Sequence, residues 1–360
     1  QLLDWAGPLV PGVVLALVIA VAGKALADWI GKDLMGFNKS PISAIMLAII
    51  LGIILRNTIG LPSAYVKGLR FSVKVILRAG IILLGLRLSL VEAGKLSLVG
   101  LPVVLGCIVF ALLMVIWIGR WLKLSARLSC LIAVGTSICG ATAIVATGPV
   151  IDAEDDEVTY AVACITIFGI LAMFTYPYLA HWIFAGNPDL SGLFLGTSIH
   201  ETAQVAGAGL MYQEQYDAPA ALDAANITKL VRNVCMAGVI PLIGIFYHRY
   251  STKTAAAAKK WYQTFPLFII GFILCMILRT AGDNMEKSFG LDPGQWDSLI
   301  TFGKDSAKFL LTIAMAAVGL NTNIANLKNL GLKPFCVGFT AAALVGGVSI
   351  ALVKIFGPLL

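Results

Sequence analysis

Two short stretches of this chain put small and hydroxyl-bearing residues where their neighbours are apolar. Gly135-Thr136-Ser137-Ile138-Cys139-Gly140-Ala141-Thr142-Ala143 is echoed by Gly196-Thr197-Ser198-Ile199-His200-Glu201-Thr202-Ala203, and both open on the same four residues, Gly-Thr-Ser-Ile. Glycine permits a break in a helix. A half-helix that begins after such a break presents bare N–H groups and the positive end of its dipole, a ready site for an anion. The hydroxyls of Ser137, Thr142, Ser198 and Thr202 add donors, and Thr136, Cys139 and Gly140 complete the first tip. Two such tips meeting near the middle of a bilayer would hold a small oxyanion. The competing explanation is close packing of small residues, with each hydroxyl bonded back to its own helix.

The charged residues nearby bear on the same chemistry. His200 is one of three histidines; His181 and His248 lie at the ends of apolar segments. Histidine changes charge near neutral pH, so His200 is a candidate to carry a coupled proton or to add positive charge for an anion. Glu201 is the second proton-coupling candidate; it would alternatively orient the imidazole or bind a cation. Gln204 would donate to a ligand. Lys229 and Arg232, spaced i and i+3, share a face of an otherwise apolar segment. Cations there are costly unless paired or facing water. They would attract the anion, neutralise Glu201 or Asp223, or snorkel to the surface. Arg78 and Arg87 pose the same question, and Asn321 and Asn323 are further polar partners. The seven cysteines show no C-x-x-C spacing and lie in or beside apolar runs, so no disulfide and no zinc are expected. No nucleophile elbow is present. An enzyme is therefore not expected, and neither is a cofactor or a metal; a hydrolase using Cys139 or Ser198 with His200 is the weakest of the alternatives.

The elements that must carry these residues follow from composition. Of 360 residues, 59% are hydrophobic and 12% charged, with mean hydropathy +0.91. Soluble domains carry about 25% charged residues, so a soluble enzyme, a disordered chain and a nucleic-acid module are excluded as first readings. The net charge of +7 is better explained by lysine and arginine in cytoplasmic loops than by nucleic acid. Apolar runs fall at 8–30, 41–57, 72–92, 99–120, 126–150, 158–184, 190–212, 222–247, 262–281, 298–320 and 334–357, and tryptophans such as Trp29, Trp117, Trp121 and Trp182 mark their ends as an interfacial belt would. Basic loops after the second (Lys67, Arg70), fourth, eighth and tenth runs put the N-terminus inside and the C-terminus outside. The start on Gln1 points to a trimmed N-terminus, with no cleavable signal peptide.

The expected fold is an all-α polytopic membrane protein with nine to eleven spans, organised as one membrane domain over 1–360. Ile54-Leu55-Arg56 recurs as Ile277-Leu278-Arg279, and Gly85-Leu86 as Gly319-Leu320. Residues 41–120 and 262–357 are thus read as inverted repeats, a hallmark of secondary transporters. The Gly-Thr-Ser-Ile segments are read as re-entrant hairpins in preference to crossing broken helices, and 126–247 as the substrate-binding core.

The strings Cys139-Gly140-Ala141-Thr142-Ala143-Ile144, His200-Glu201-Thr202-Ala203-Gln204-Val205-Ala206-Gly207-Ala208-Gly209 and Lys229-Leu230-Val231-Arg232 resemble the YeiH-type family, whose label is sulfate export. The resemblance covers nearly the whole chain. It implies a bacterial inner-membrane protein related to cation–proton antiporters and anion transporters. The sequence departs from it mildly at Glu201, where Asp is commoner, and at Thr142. Residues and resemblance together give the expectation of an elevator-like secondary transporter for a small inorganic or organic anion, sulfate or sulfonate-like, with proton or sodium coupling, in the lipid bilayer, without nucleic acid, and as a homodimer. The alternative is a cation–proton antiporter using His200 and Glu201.

Overall fold

The computed structural model describes residues 7–34, 43–249, 267–285, 289–323 and 332–359, and among them no strand forms. The helices are α1 (Val10–Asp28), α2 (Ala44–Thr58), α3 (Ser63–Phe71), α4 (Leu77–Leu84), α5 (Leu90–Trp121), α6 (Ala126–Ser137), α7 (Ala141–Thr147), α8 (Asp155–Ile183), α9 (Pro188–Ser198), α10 (Thr202–Tyr216), α11 (Pro219–Arg249), α12 (Phe268–Asp283), α13 (Pro293–Asn321) and α14 (Leu332–Phe356). The apolar runs foretell most of these bounds within a few residues. Five helical stretches are long and apolar enough to cross a membrane unaided: α1, α5, α8, Pro219–Tyr247 of α11 and Phe335–Phe356 of α14. That is fewer than the nine to eleven spans expected from apolar runs alone. The remaining helices are short, interrupted or, like α13 with Lys304, Asp305 and Lys308, too polar along their middle.

One expectation about the loops is corrected. A π-helical turn, Ser72–Ile76, joins α3 to α4, and helical structure runs from Ser63. Pro62 precedes its first turn with extended ψ, as proline favours a helix start. Lys67 and Arg70 therefore ride exposed on α3, not in a loop.

The chain forms two compact units. The first takes residues 1–94, 209–223 and 267–325. Its core is built from small side chains, Ala16, Ala20, Ala48, Ala316 and Ala317 around Leu69 and Leu320, as close helix packing in lipid favours. Polar groups tie its three pieces together. Arg87 Nε lies 2.9 Å from Asp223 Oδ1 and its Nη1 donates to Gln213 Oε1 at 3.1 Å. Lys308 Nζ lies 3.2 Å from Glu214 Oε1, and Ser43 Oγ donates to Glu214 Oε2 at 2.8 Å.

The second unit takes 95–208, 224–266 and 326–360. Its core clusters Val115, Leu131, Ile132, Val134, Ile144, Ile165 and Val337, and it holds both Gly-Thr-Ser-Ile stretches. The first stretch folds back on itself. At its base Ser125, which caps α6, donates to Glu157, and Arg127 Nη1 lies 3.3 Å from Glu154 Oε1; the start of α6 and the segment after α7 thus meet. Between the arms, a methyl on Gly135 would come within 2.6 Å of Ile144 Cδ1. The second stretch follows the same plan. Gly196 packs against Ala225 O and the Thr228 side chain, and Ile199 lies beside Arg232, so α9 runs parallel to α11. The helix α10 starts at Asn233 and reaches α11 through a two-residue link, so it runs antiparallel. The arms α9 and α10 therefore reverse direction at 199–201.

Candidate functional site

Both breaks leave backbone groups without helical partners. In the first, α6 ends at Ser137, Ile138 takes φ −120° and ψ −92°, and Gly140 takes φ 69° and ψ −130° before α7 begins. In the second, Ile199 is extended after α9. The ends of α6 and α9 carry bare carbonyls and the negative ends of two helix dipoles.

Two side chains from one face of α11 satisfy them. Lys229 Nζ donates to Ile138 O at 2.9 Å, to Ile199 O at 3.0 Å and to His200 O. Arg232 donates through Nε to Ser137 O at 2.7 Å, through Nη1 to Thr197 O at 2.8 Å and Ile199 O at 2.9 Å, and through Nη2 to Thr136 O. Both side chains are wholly buried. Each cation thus bridges the two tips, and the tips converge on α11. Lys and Arg are suited to this because they supply three and five donors to carbonyls that already favour positive charge. The snorkelling expected as one alternative does not occur, and Asp223 is neutralised by Arg87 in the first unit, not by this pair.

Glu201 supplies the carboxylate of the cluster. It lies beside Lys229 and accepts from the Ala141 N–H at the start of α7 and from Thr166. A methyl on Gly140 would overlap its Cγ, so glycine serves both the left-handed φ and the approach of Glu201. Gln204 is buried with its amide engaged at both ends: Oε1 accepts from Glu201 N at 3.2 Å and Nε2 donates to Thr166 O at 3.2 Å. Gly169 on α8 leaves the room for it. Thr202 accepts from Asn233 Nδ2 at 3.2 Å. Thr142 is exposed, and Ala141, Glu201 and Thr202 are half-buried.

The other hydroxyls turn inward. Thr136 Oγ1 donates to Ile132 O at 2.6 Å, Ser137 Oγ to Val134 O at 3.3 Å and Ser198 Oγ to Phe194 O at 2.6 Å. Thr197 shares a 2.5 Å hydrogen bond with Ser349 of α14. Cys139 Sγ faces Met236 Sδ at 3.4 Å. His200 is wholly buried, beside the Thr136 backbone; it makes no bond to Ser198. Outside the second unit, Arg78 lies over the Phe268 ring and Asn321 Nδ2 donates to Ala317 O at 2.9 Å. Among the described residues no group of three or more His, Cys, Asp or Glu is placed to hold a metal.

Sequence reasoning missed Asn233, Thr166, Gly169 and Ser349. Asn233 carries a signal, since it adjoins Arg232 one turn after Lys229. The others carry none, because their part is to face the tips from distant helices.

Five helical stretches long and apolar enough to cross a membrane, with a polar cluster held by two interrupted hairpins of the second unit, mark a multi-pass membrane protein. The chain belongs to the family described as Conserved hypothetical protein 698, matched over residues 11–338, and this is the family that the tip motifs resemble. It is 35% identical to a UPF0324 membrane protein of Yersinia pestis, over 95% of this chain and 92% of that one. It is 31% identical to one of Streptococcus agalactiae, over 95% and 96%, and 29% identical to one of Fusobacterium nucleatum, over 96% and 98%.

Proposed function

We propose that this protein is a secondary transporter of a small oxyanion, of the sulfate or sulfonate class, working by alternating access. The observation that carries the reading is the cluster at the tips, where two wholly buried cations, Lys229 and Arg232, bridge the breaks and one carboxylate, Glu201, lies beside Lys229. Their carbonyl contacts quench part of the charge through dipoles but add no formal negative charge. One positive charge is left in a low-dielectric setting, and it favours an anion and disfavours a cation. His200 in the second tip and Thr202 at the start of α10, whose hydroxyl accepts from Asn233 and keeps its own O–H, supply donors to the solute. Lys229 and Arg232 act on the solute through their field, since their donors already hold the backbone. Two compact units supply the separate bodies that such a carrier needs. Non-helical backbone at membrane depth also belongs where it is buried or lines a cavity. A hydrolytic role has less support, because Ser198 donates to Phe194 O and His200 does not activate it.

The test is thermal unfolding of purified protein with sulfate, methanesulfonate or sodium as added solutes, followed by sulfate counterflow in proteoliposomes. Stabilisation by an oxyanion and counterflow are expected, with both lost in His200→Gln. Ser137→Ala and Ser198→Ala are expected to bind normally, because their hydroxyls serve their own helices. Sodium-driven proton movement with no response to any oxyanion would replace this reading with cation–proton exchange.

A further inference from the structure

The charge of the tip cluster depends on one group. The charged and titratable groups facing Glu201 are Lys229 from α11 and Cys139 from the first tip, with His200 beside it in the chain; α8 contributes only the neutral Thr166. With Glu201 ionised the cluster holds one net positive charge. With Glu201 protonated it holds two, because Lys229 and Arg232 are locked to backbone carbonyls in either case. Glu201 is half-buried, while both cations are wholly enclosed. It is thus the member of the cluster open to proton exchange.

Resting on the anion-transport reading, we propose that Glu201 sets the charge of the solute that the tips accept: a dianionic oxyanion binds together with a proton on Glu201, and a monoanionic one binds without it. The proton moves from water to the Glu201 carboxylate as the dianion enters, and returns to water when the dianion leaves. No bond to the solute forms or breaks. The dianion then meets two positive charges and the monoanion meets one, so each complex is neutral. A neutral complex is the form that crosses a low-dielectric region at least cost. The device would couple movement of the dianion to one proton: the loaded step carries no charge, and the return of the empty, singly positive cluster leaves one net negative charge moved per dianion.

The experiment uses the whole protein in detergent. Apparent affinities for sulfate and for methanesulfonate are measured by thermal shift between about pH 6 and about pH 8, and proton uptake on binding is measured in weakly buffered solution. Sulfate affinity is expected to fall toward a limit of about tenfold per pH unit, with uptake of about one proton per sulfate bound. Methanesulfonate is expected to show neither effect. In Glu201→Gln, sulfate binding becomes independent of pH. The proposal is overturned if wild-type sulfate binding takes up no proton, or if its pH dependence survives in Glu201→Gln. The uptake measurement needs wild type alone, so it decides the matter even where the variant does not fold. A protein stabilised by neither solute at any pH refutes the transport reading itself. Stabilisation without proton uptake refutes only the role of Glu201.

Discussion

At Lys229 and Arg232 the backbone and the charge problem are solved together. A helix broken inside a membrane exposes carbonyls that water cannot reach, and a cation buried there lacks its hydration shell. Each defect supplies what the other needs. Truncating Lys229 to methionine removes the donor to Ile138, Ile199 and His200, although Ile199 keeps Arg232. A buried acceptor left bare costs about 1–3 kcal/mol, so Lys229→Met is expected to lower the unfolding temperature by several degrees even without ligand. Lys229→Arg keeps the charge and part of the donor set and should recover some of that loss. A temperature unchanged in Lys229→Met would mean that the tips are held by packing alone. Gly140 is the second sensitive residue. Its φ of 69° and ψ of −130° lie where side chains other than hydrogen are strained by about 1–3 kcal/mol, and a methyl would also strike Glu201. Gly140→Ala should therefore destabilise clearly, whereas Gly238→Ala, with open space around it, should not.

At the level of elements, the re-entrant reading of the tips has a direct topological consequence. Ser125–Glu157 and Arg127–Glu154 join the two ends of the first hairpin, so both ends are expected on one side of the bilayer. In a background with the native cysteines replaced, Lys123→Cys and Ala153→Cys are expected to react with an impermeant thiol reagent from the same side. Asp189→Cys and Ala218→Cys, at the ends of the second hairpin, should react together from the other side, because α8 crosses between the hairpins. Labelling of Lys123→Cys and Ala153→Cys from opposite faces would make the first break a crossing helix. Most helices were legible, since apolar runs bounded by charge and proline fall near their ends, but helical structure from Ser63 and the start of the next long helix at Leu90 were not. The breaks were legible from the repeated Gly-Thr-Ser-Ile. The π turn at 72–76 was not, because nothing in Ser72-Val73-Lys74-Val75-Ile76 departs from an ordinary helical run. The part played by Lys229 and Arg232 was not either: spacing shows that they share a face, but only coordinates show which carbonyls that face meets. The serines illustrate the reverse, since a hydroxyl's choice between ligand and its own helix depends on backbone geometry that residue type leaves open.

The whole molecule poses a problem of assembly, because its first unit is stitched from three pieces far apart in sequence. Apolar packing in lipid does not select partners strongly, since lipid tails are as apolar as leucine. Polar pairs carry direction and register, and the first unit places them at the joints. Arg87–Asp223 joins residues 1–94 to 209–223. Lys308–Glu214, with Ser43 on the same carboxylate, draws in 267–325. Arg87 and Asp223 are largely buried, with side chains 12% and 10% exposed, so removing one partner strands the other. Arg87→Met or Asp223→Leu alone is expected to cost roughly 3–5 kcal/mol, whereas the double variant should recover most of it, because apolar pairs of similar size replace buried ion pairs at little cost. Unfolding temperatures of the two single variants and the double variant close the cycle, and a coupling larger than the double variant's own cost is the expected result. Strict additivity would show that the pair does not hold 209–223 in place. Because neither residue touches the tips, oxyanion-induced stabilisation should be retained in the double variant. Its loss there would show that the joint and the tip cluster act as one system.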